Sequence, residues 1–161
     1  QELIYKIRPT FILETGSFKG GGALFFAHLM DMFKIDGRVV SIDTINYDKP
    51  QHPKITWIAD DSTRHSAVST VHKWAKGQTC MVILDSDHTH EHVITEMELY
   101  HDIVSPQSYL IVEDTWWEPH DKGPWVAVQA FIEKYPDFKI DPTCERYVWT
   151  NNPNGFIKYD V

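Results

Sequence analysis

Residues 80–115 read CMVILDSDHTHEHVITEMELYHDIVSPQSYLIVEDT. Two short apolar runs, Met-Val-Ile-Leu at 81–84 and Tyr-Leu-Ile-Val at 109–112, stop abruptly in acid: Asp85 and Asp87 after the first, Glu113 and Asp114 after the second. Between them Val93, Met97, Tyr100 and Val104 recur at steps of three or four, the spacing of one helix face. The pattern is strand, helix, strand, and such a crossover is right-handed and leaves its strands parallel. In an open parallel sheet ligands bind beyond the carboxyl ends of the strands, where all of these acids fall. Crowded carboxylates raise one another's pKa unless something positive sits among them. A hard cation answers that need, because Mg2+ is held by a few carboxylates together with water and substrate oxygens. The plain alternative makes each acid a solvated loop residue; their clustering on consecutive strand ends favours a shared site.

At 161 residues and 42% apolar content, the chain is expected to form one domain with a real core. A formal charge of −8 with no basic run argues against a nucleic-acid partner. No apolar run approaches the roughly 18 residues needed to span a bilayer, and no signal-peptide pattern opens the sequence, so no membrane partner is expected. Cys80 and Cys144 make neither a disulfide framework nor a Cys-x-x-Cys site. That fits a reducing compartment and a cytoplasmic location, with an upstream address left open because the first residue is Gln.

Upstream, residues 2–7 read as the tail of a helix stopped by Pro9. Thr10-Phe-Ile-Leu-Glu14 is a strand that runs into Thr-Gly-Ser-Phe-Lys-Gly-Gly-Gly at 15–22, followed by a helix over 23–33 with Leu24, Ala27, His28 and Met30 at helical spacing. Glycines let a backbone approach a ligand closely, and the helix N-terminus behind them offers unpaired N–H groups. Arg38–Asp43 is a second strand that also ends in acid. An acid about 20 residues past a glycine loop is placed to accept hydrogen bonds from ribose hydroxyls. A third strand over 54–59 ends in Asp60-Asp61-Ser62-Thr63, before a helix over 63–76. Asp61 and Ser62 either cap that helix or meet an adenine edge.

Downstream, Trp116-Trp-Glu-Pro-His-Asp-Lys-Gly carries two large aromatics, read either as a wall for an apolar or sugar-like substrate or as packing on the sheet edge. Pro124 opens a helix over 125–135 with Val128, Phe131 and Ile132 as its apolar stripe. Residues 138–141, 146–150 and 155–159 are extended in character, and Asn152-Pro-Asn-Gly155 reads as a hairpin connection, so the sheet is expected to finish antiparallel.

This order of elements resembles class I S-adenosylmethionine-dependent methyltransferases. Within that class, Leu-Glu-Thr-Gly-Ser-Phe-Lys-Gly-Gly at 13–21, Leu-Asp-Ser-Asp-His-Thr-His-Glu-His-Val at 84–93, Ser-Tyr-Leu-Ile-Val-Glu-Asp-Thr at 108–115 and Asn-Pro-Asn-Gly-Phe at 152–156 resemble the cephalosporin hydroxylase/rhamnosyl O-methyltransferase family. The resemblance covers about residues 11–159. It implies an α/β fold: a Rossmann-like, doubly wound, mostly parallel seven-stranded sheet with an antiparallel C-terminal hairpin and helices on both faces. It also implies S-adenosylmethionine as methyl donor, a divalent cation (usually Mg2+), and a hydroxyl acceptor on a small molecule or sugar. A homo-oligomer is compatible with it.

Position by position, the resemblance sets Gly16 and Ser17 at the methionine part of the donor, Asp43 at the ribose, and Asp61 with Ser62 at the adenine; Glu14, Gly20 and Asp85 complete that set. It gives the metal Glu113 and Asp114 plus one of Asp85 and Asp87. His88 and His90 stand where metal-dependent catechol-type enzymes place a catalytic lysine, and Asp87 competes with them as base. Members of the family carry more chain ahead of the first strand than the nine residues present here, so either upstream residues complete the site or it is unusually open. A nicotinamide dehydrogenase shares the glycine loop and acid but needs glycine where Phe18 stands. A non-catalytic or partner-dependent S-adenosylmethionine-binding module of the same fold is the alternative to an enzyme.

Overall fold

The computed structural model describes residues 1–116 and 123–161. Strands β1 (Phe11–Thr15), β2 (Arg38–Asp43), β3 (Ile55–Ala59), β4 (Cys80–Leu84), β5 (Tyr109–Val112), β6 (Phe138–Ile140) and β7 (Phe156–Tyr159) join in one sheet of order β3-β2-β1-β4-β5-β7-β6. Strands β1 to β5 pair in parallel, while β7 runs antiparallel to both β5 and β6. Every residue of β1, β4 and β5 is buried. A strand covered on both faces needs apolar residues on both sides of its pleat, hence continuous runs such as Cys-Met-Val-Ile-Leu.

Helices α1 (Glu2–Ile7), α2 (Gly21–Met32), α3 (His65–Ala75), α4 (His90–Tyr100) and α5 (Pro124–Lys134) supply the cover. Leu13, Val82 and Leu110 pack with Val71 of α3, Met97 of α4 and Phe131 of α5 on one face. Ile12, Val39 and Met81 pack with Ile4 of α1 and Ala27 and Met30 of α2 on the other. Truncating a fully buried side chain such as Leu110 to Ala costs about 2–5 kcal/mol, so each face is held by several terms of that size. The doubly wound architecture and its antiparallel end are as expected. Among the described residues, no helix is long and apolar enough to cross a membrane.

Local expectations fare unevenly. Helix α4 begins at His90 and tightens into a 3-10 turn at His101–Ile103, so Val104 lies beyond it. His28 is exposed, and the buried face of α2 is Ala23, Ala27, Leu29 and Met30. Residues 146–150, expected to be extended in a sheet, form no strand: Tyr147, Val148 and Trp149 are exposed. They belong to the connection that returns the chain from β6 to β7, and with β5 and β6 flanking β7 they could meet the sheet there only at the outer edge of β6. The β6–β7 connection runs through 141–155 instead, by way of a 3-10 helix at Pro142–Glu145, and Asn152-Pro-Asn-Gly155 closes a tight turn with Gly155 N–H donating to the Asn152 carbonyl at 2.9 Å.

Candidate active site

At the carboxyl end of β1 the chain turns through Gly16, whose φ of +84° lies in the left-handed region that favours glycine. Its N–H and that of Ser17 donate to the Ile42 carbonyl at 2.8 and 3.2 Å, which pins the loop to β2. Gly20, the N-cap of α2, also has positive φ (81°). Between them Phe18 takes φ 44°, so the position where a dinucleotide fingerprint requires glycine is left-handed here too. The Phe18 N–H donates to Asp43 Oδ2 at 2.7 Å, and the Ile45 N–H donates to Asp43 Oδ1 at 2.8 Å. Asp43 thus holds the glycine loop, and each of its oxygens keeps lone-pair capacity for another donor.

A polar row lies under the loop. Glu14, Ser41 and Trp57 stand in cross-strand register on β1, β2 and β3. Ser41 Oγ donates to Glu14 Oε2 and shares a hydrogen bond with Ser17 Oγ at 2.6 Å. Glu14 is 5% exposed. Burial pushes its carboxyl up to about 7; the Ser41 hydrogen bond opposes this, and the charges of Asp85 and Glu113 add to it.

Beyond β4 and β5, Asp85, His88 and Asp114 bring one ligand atom each to within 4.8 Å of one another. His88 Nε2 lies 3.4 Å from both Asp85 Oδ1 and Asp114 Oδ2. The hydrogen bond to Asp85 raises the His88 pKa against the opposing effect of burial. Asp114 has a left-handed backbone (φ 52°), fixed by its N–H donating to Asn152 Oδ1 at 3.1 Å, and Trp116 Nε1 donates to its Oδ1 at 3.2 Å. Glu113, half-buried beside them, is pushed up to about 7 by desolvation and then by the charge of Asp85, with a hydrogen bond to Asn152 working the other way.

The alternatives left open by the sequence separate geometrically. Asp85 is in the cluster; Asp87 is exposed and accepts the Thr89 N–H at 2.8 Å, ahead of α4. His88 is in the cluster; His90 is the first residue of α4 and its Nδ1 is buried without a partner. The two remaining tryptophan readings part as well: Trp116 is 53% exposed and turned to Asp114, whereas Trp117 and the rest of 118–122 lie outside the described residues.

Asp61 and Ser62 do not cap α3, which starts at His65 with no side-chain cap. Asp61 Oδ1 accepts from the N–H and hydroxyl of Thr63, at 2.8 and 2.7 Å. Ser62 Oγ donates to Glu96 Oε1 at 2.5 Å, Ser86 Oγ donates to the same oxygen at 2.8 Å, and His92 Nε2 lies 3.3 Å from it. The Tyr100 hydroxyl donates to the Ser62 carbonyl. Fully buried Glu96 thereby ties the loop after β3 to the loop after β4. Glu96, His92, Ser41 and Asn152 were not found by sequence reasoning. Glu96 did have a signal: it lies between Val93 and Tyr100 on the apolar stripe, where a charge is costly unless partnered.

Comparison with known proteins gives the same frame. The rhamnosyl O-methyltransferase of Mycobacterium leprae (strain TN) is 30% identical over 170 residues, covering 98% of this chain and 74% of the relative. That of Mycobacterium tuberculosis (strain H37Rv) is 29% identical over 171 residues, covering 98% and 70%. Among solved structures, the Mg-SAM structure of CmcI aligns with a TM-score of 0.74 at 20% identity, over 99% of this chain and 68% of that one. The MycE methyltransferase of the mycinamycin pathway with Mg and SAH (crystal form 2) aligns with a TM-score of 0.67 at 18% identity, over 98% and 46%. These structures share the fold. The profile described as rhamnosyl O-methyltransferase/CmcI matches residues 1–159, from the first helix to the last strand, and the chain therefore belongs to that family.

Proposed function

We propose that the chain is an S-adenosylmethionine-dependent O-methyltransferase, assisted by a divalent cation, that methylates a hydroxyl of a sugar or another small molecule. The observation that carries this reading is the meeting of Asp85, His88 and Asp114 within 4.8 Å of one another, against the glycine loop at Gly16. A donor loop and an acid cluster that share a wall suit transfer between a bound donor and an acceptor oxygen, where alignment alone can supply up to about 7–11 kcal/mol. The relatives named rhamnosyl O-methyltransferase favour a sugar hydroxyl, and the Mg-SAM structure of CmcI favours that donor and Mg2+.

The donor set fits a hard cation. Asp85 and Asp114 offer carboxylate oxygens and half-buried Glu113 stands next to them; burial first, and then the neighbouring carboxylates, raise the pKa values of Glu113 and Glu14, and a cation would relieve the second of these. When bound, Mg2+ lowers the pKa of the acceptor hydroxyl and offsets its developing charge, worth roughly several kcal/mol. In this reading Asp85, Asp114 and Glu113 hold the ion, and Asp87 only shapes the loop. His88 Nε2 takes the acceptor proton, and it becomes neutral for that task once its carboxylate partners are shared with a cation. Gly16 and Ser17 line the methionine end, Asp43 takes the ribose hydroxyls, and Asp61 with Ser62 meets the adenine.

The test is calorimetric titration with S-adenosylhomocysteine, followed by transfer of labelled methyl from S-adenosylmethionine to a panel of rhamnosides and other glycosides, with Mg2+ or with chelator. Binding together with Mg2+-dependent transfer is expected. Binding with no transfer to any acceptor supports the non-catalytic module, and a folded chain that fails to bind overturns the reading.

A further inference from the structure

Lys49 is only 8% exposed. Buried lysines are rare unless paired, and among the described residues Lys49 makes no ion pair: its ammonium lies 5.1 Å from the centroid of the Trp57 ring. Trp57 ends the cross-strand row Glu14–Ser41–Trp57 beneath the glycine loop. The N-terminus of α2 lies over the same row: a β-carbon on Gly20 would stand 2.7 Å from the Trp57 ring and 3.0 Å from Pro50 Cδ, and one on Gly22 would stand 2.1 Å from Glu14 Oε1. The Lys49 charge is felt by Glu14, whose pKa it lowers. A buried cation at Trp57 and the buried Glu14 carboxyl therefore stand at opposite ends of one cross-strand row, with the N-terminus of a 12-residue helix over both ends.

The charged groups at the ends of β1, β2, β4 and β5 are mostly acidic (Glu14, Asp43, Asp85, Glu113 and Asp114), with His88 and the exposed Lys19, which lies over Phe18, beside them; Arg64 is paired with Asp60 beyond β3. That field suits a sulfonium and an ammonium. It repels a carboxylate, so a ligand carrying all three groups needs a cation at one end.

We propose that Lys49, shelved on Trp57 and backed by the N-terminus of α2, is the binding residue for the α-carboxylate of the methyl donor's amino-acid end. The inference rests on the methyl-donor reading and deepens it. Trp57 holds the stem by packing and cation–π attraction, leaving the ammonium pre-placed. Glu14, in the same row, is the counterpart for the α-ammonium.

The experiment compares two probes on the wild-type chain, Lys49→Met and Lys49→Arg: S-adenosylhomocysteine, which has the amino-acid end, and 5′-methylthioadenosine, which lacks it. Methionine keeps an apolar stem on Trp57, and the thermal midpoint of each variant checks folding. Lys49→Met should weaken S-adenosylhomocysteine by about 10- to 100-fold, the range for a charge-assisted hydrogen bond. Methylthioadenosine affinity should stay within about twofold, and Lys49→Arg should restore part of the loss. Equal weakening of both ligands, or of neither, overturns the proposal. A wild-type chain that binds methylthioadenosine but gains nothing from the amino-acid end overturns it while sparing the adenosine site. One that binds neither ligand sinks the methyl-donor reading with it.

Discussion

The carbonyl oxygen of Asp85 stands 1.8 Å from where a β-carbon on Gly16 would be, so the glycine loop and the first acid of the cluster are in contact through bare backbone. Gly16→Ala must either move Asp85 or open the loop, and its φ of +84° adds about 1–2 kcal/mol for a non-glycine residue. With overpacking at about 1–3 kcal/mol, the thermal midpoint should fall by roughly 5–15 °C. Metal-dependent turnover should fall further than the loss of folded protein explains, since Asp85 is displaced. A midpoint and turnover matching wild type would show that the two loops are not in contact.

Glu14 and Glu113 set a pH dependence of stability whose sign follows from burial. Each carboxyl rises from 4.5 to about 7 on folding. Across that window the native state keeps protons that the unfolded chain has released, so stability falls as pH rises. The slope is at most about 1.4 kcal/mol per pH unit for each group. Glu14→Gln, isosteric with the protonated form, should remove one group's share and leave the variant more stable than wild type near pH 8. Urea midpoints taken between about pH 5 and pH 8 test this; parallel wild-type and Glu14→Gln curves would refute it.

Much of this arrangement is written in the sequence, and the rest fails to be for identifiable reasons. Strands β1, β2, β4 and β5 are legible because burial on both faces demands continuous apolar runs, and each run is cut off by a turn glycine or an acid at the ligand-binding edge. Residues 146–150 read as extended from Tyr147, Val148 and Trp149, and their place in the β6–β7 connection, with β7 already flanked by β5 and β6, is a tertiary fact that no local pattern carries. That Asp85 and not Asp87 meets His88 and Asp114 depends on the turn before α4, which directs Asp87 to the Thr89 N–H. Asn152 and Lys49 lie in loops without periodicity, so no pattern in their neighbourhood marks them. Glu96 was the readable omission, a lone acid on an apolar helix face.

A cation entering the cluster must compete with His88, whose Nε2 sits 3.4 Å from a carboxylate oxygen of both Asp85 and Asp114. The His88 pKa is raised above its ordinary value by those acids, Asp85 first. Mg2+ binding near neutral pH should therefore release a proton, seen as a binding heat that depends on the ionisation enthalpy of the buffer. His88→Gln should reduce the buffer dependence to the share that Glu113 supplies, since its carboxyl is pushed up to about 7. Asp114→Asn should weaken Mg2+ by more than the about 10- to 100-fold typical of outer-shell partners while leaving S-adenosylhomocysteine affinity within about twofold. Buffer-independent heats, or Asp114→Asn with unaltered Mg2+ affinity, would remove these residues from the metal site.

Glu96 accepts Ser62 and Ser86 on one oxygen while its other oxygen is buried without a partner, so its contribution is concentrated in a single atom that joins two loops. Glu96→Ala leaves both hydroxyls and His92 unanswered in the interior, a loss of about 3–5 kcal/mol when one partner of a buried charged pair is removed. Glu96→Gln is the informative variant, because its amide oxygen can still accept the serines while the charge is gone. His92 owes its raised pKa first to its hydrogen bond with Glu96, so in Glu96→Gln it should titrate closer to the ordinary histidine value, which NMR of the imidazole resonances would follow. The stability that His92 protonation adds below its folded pKa, and that is lost as pH rises through it, should shrink with the shift. S-adenosylhomocysteine should bind Glu96→Gln more weakly, through Ser62, with turnover at saturating donor changed less. An unshifted His92, or a loss confined to turnover, would mean that Glu96 does not hold the adenosine side of the cleft.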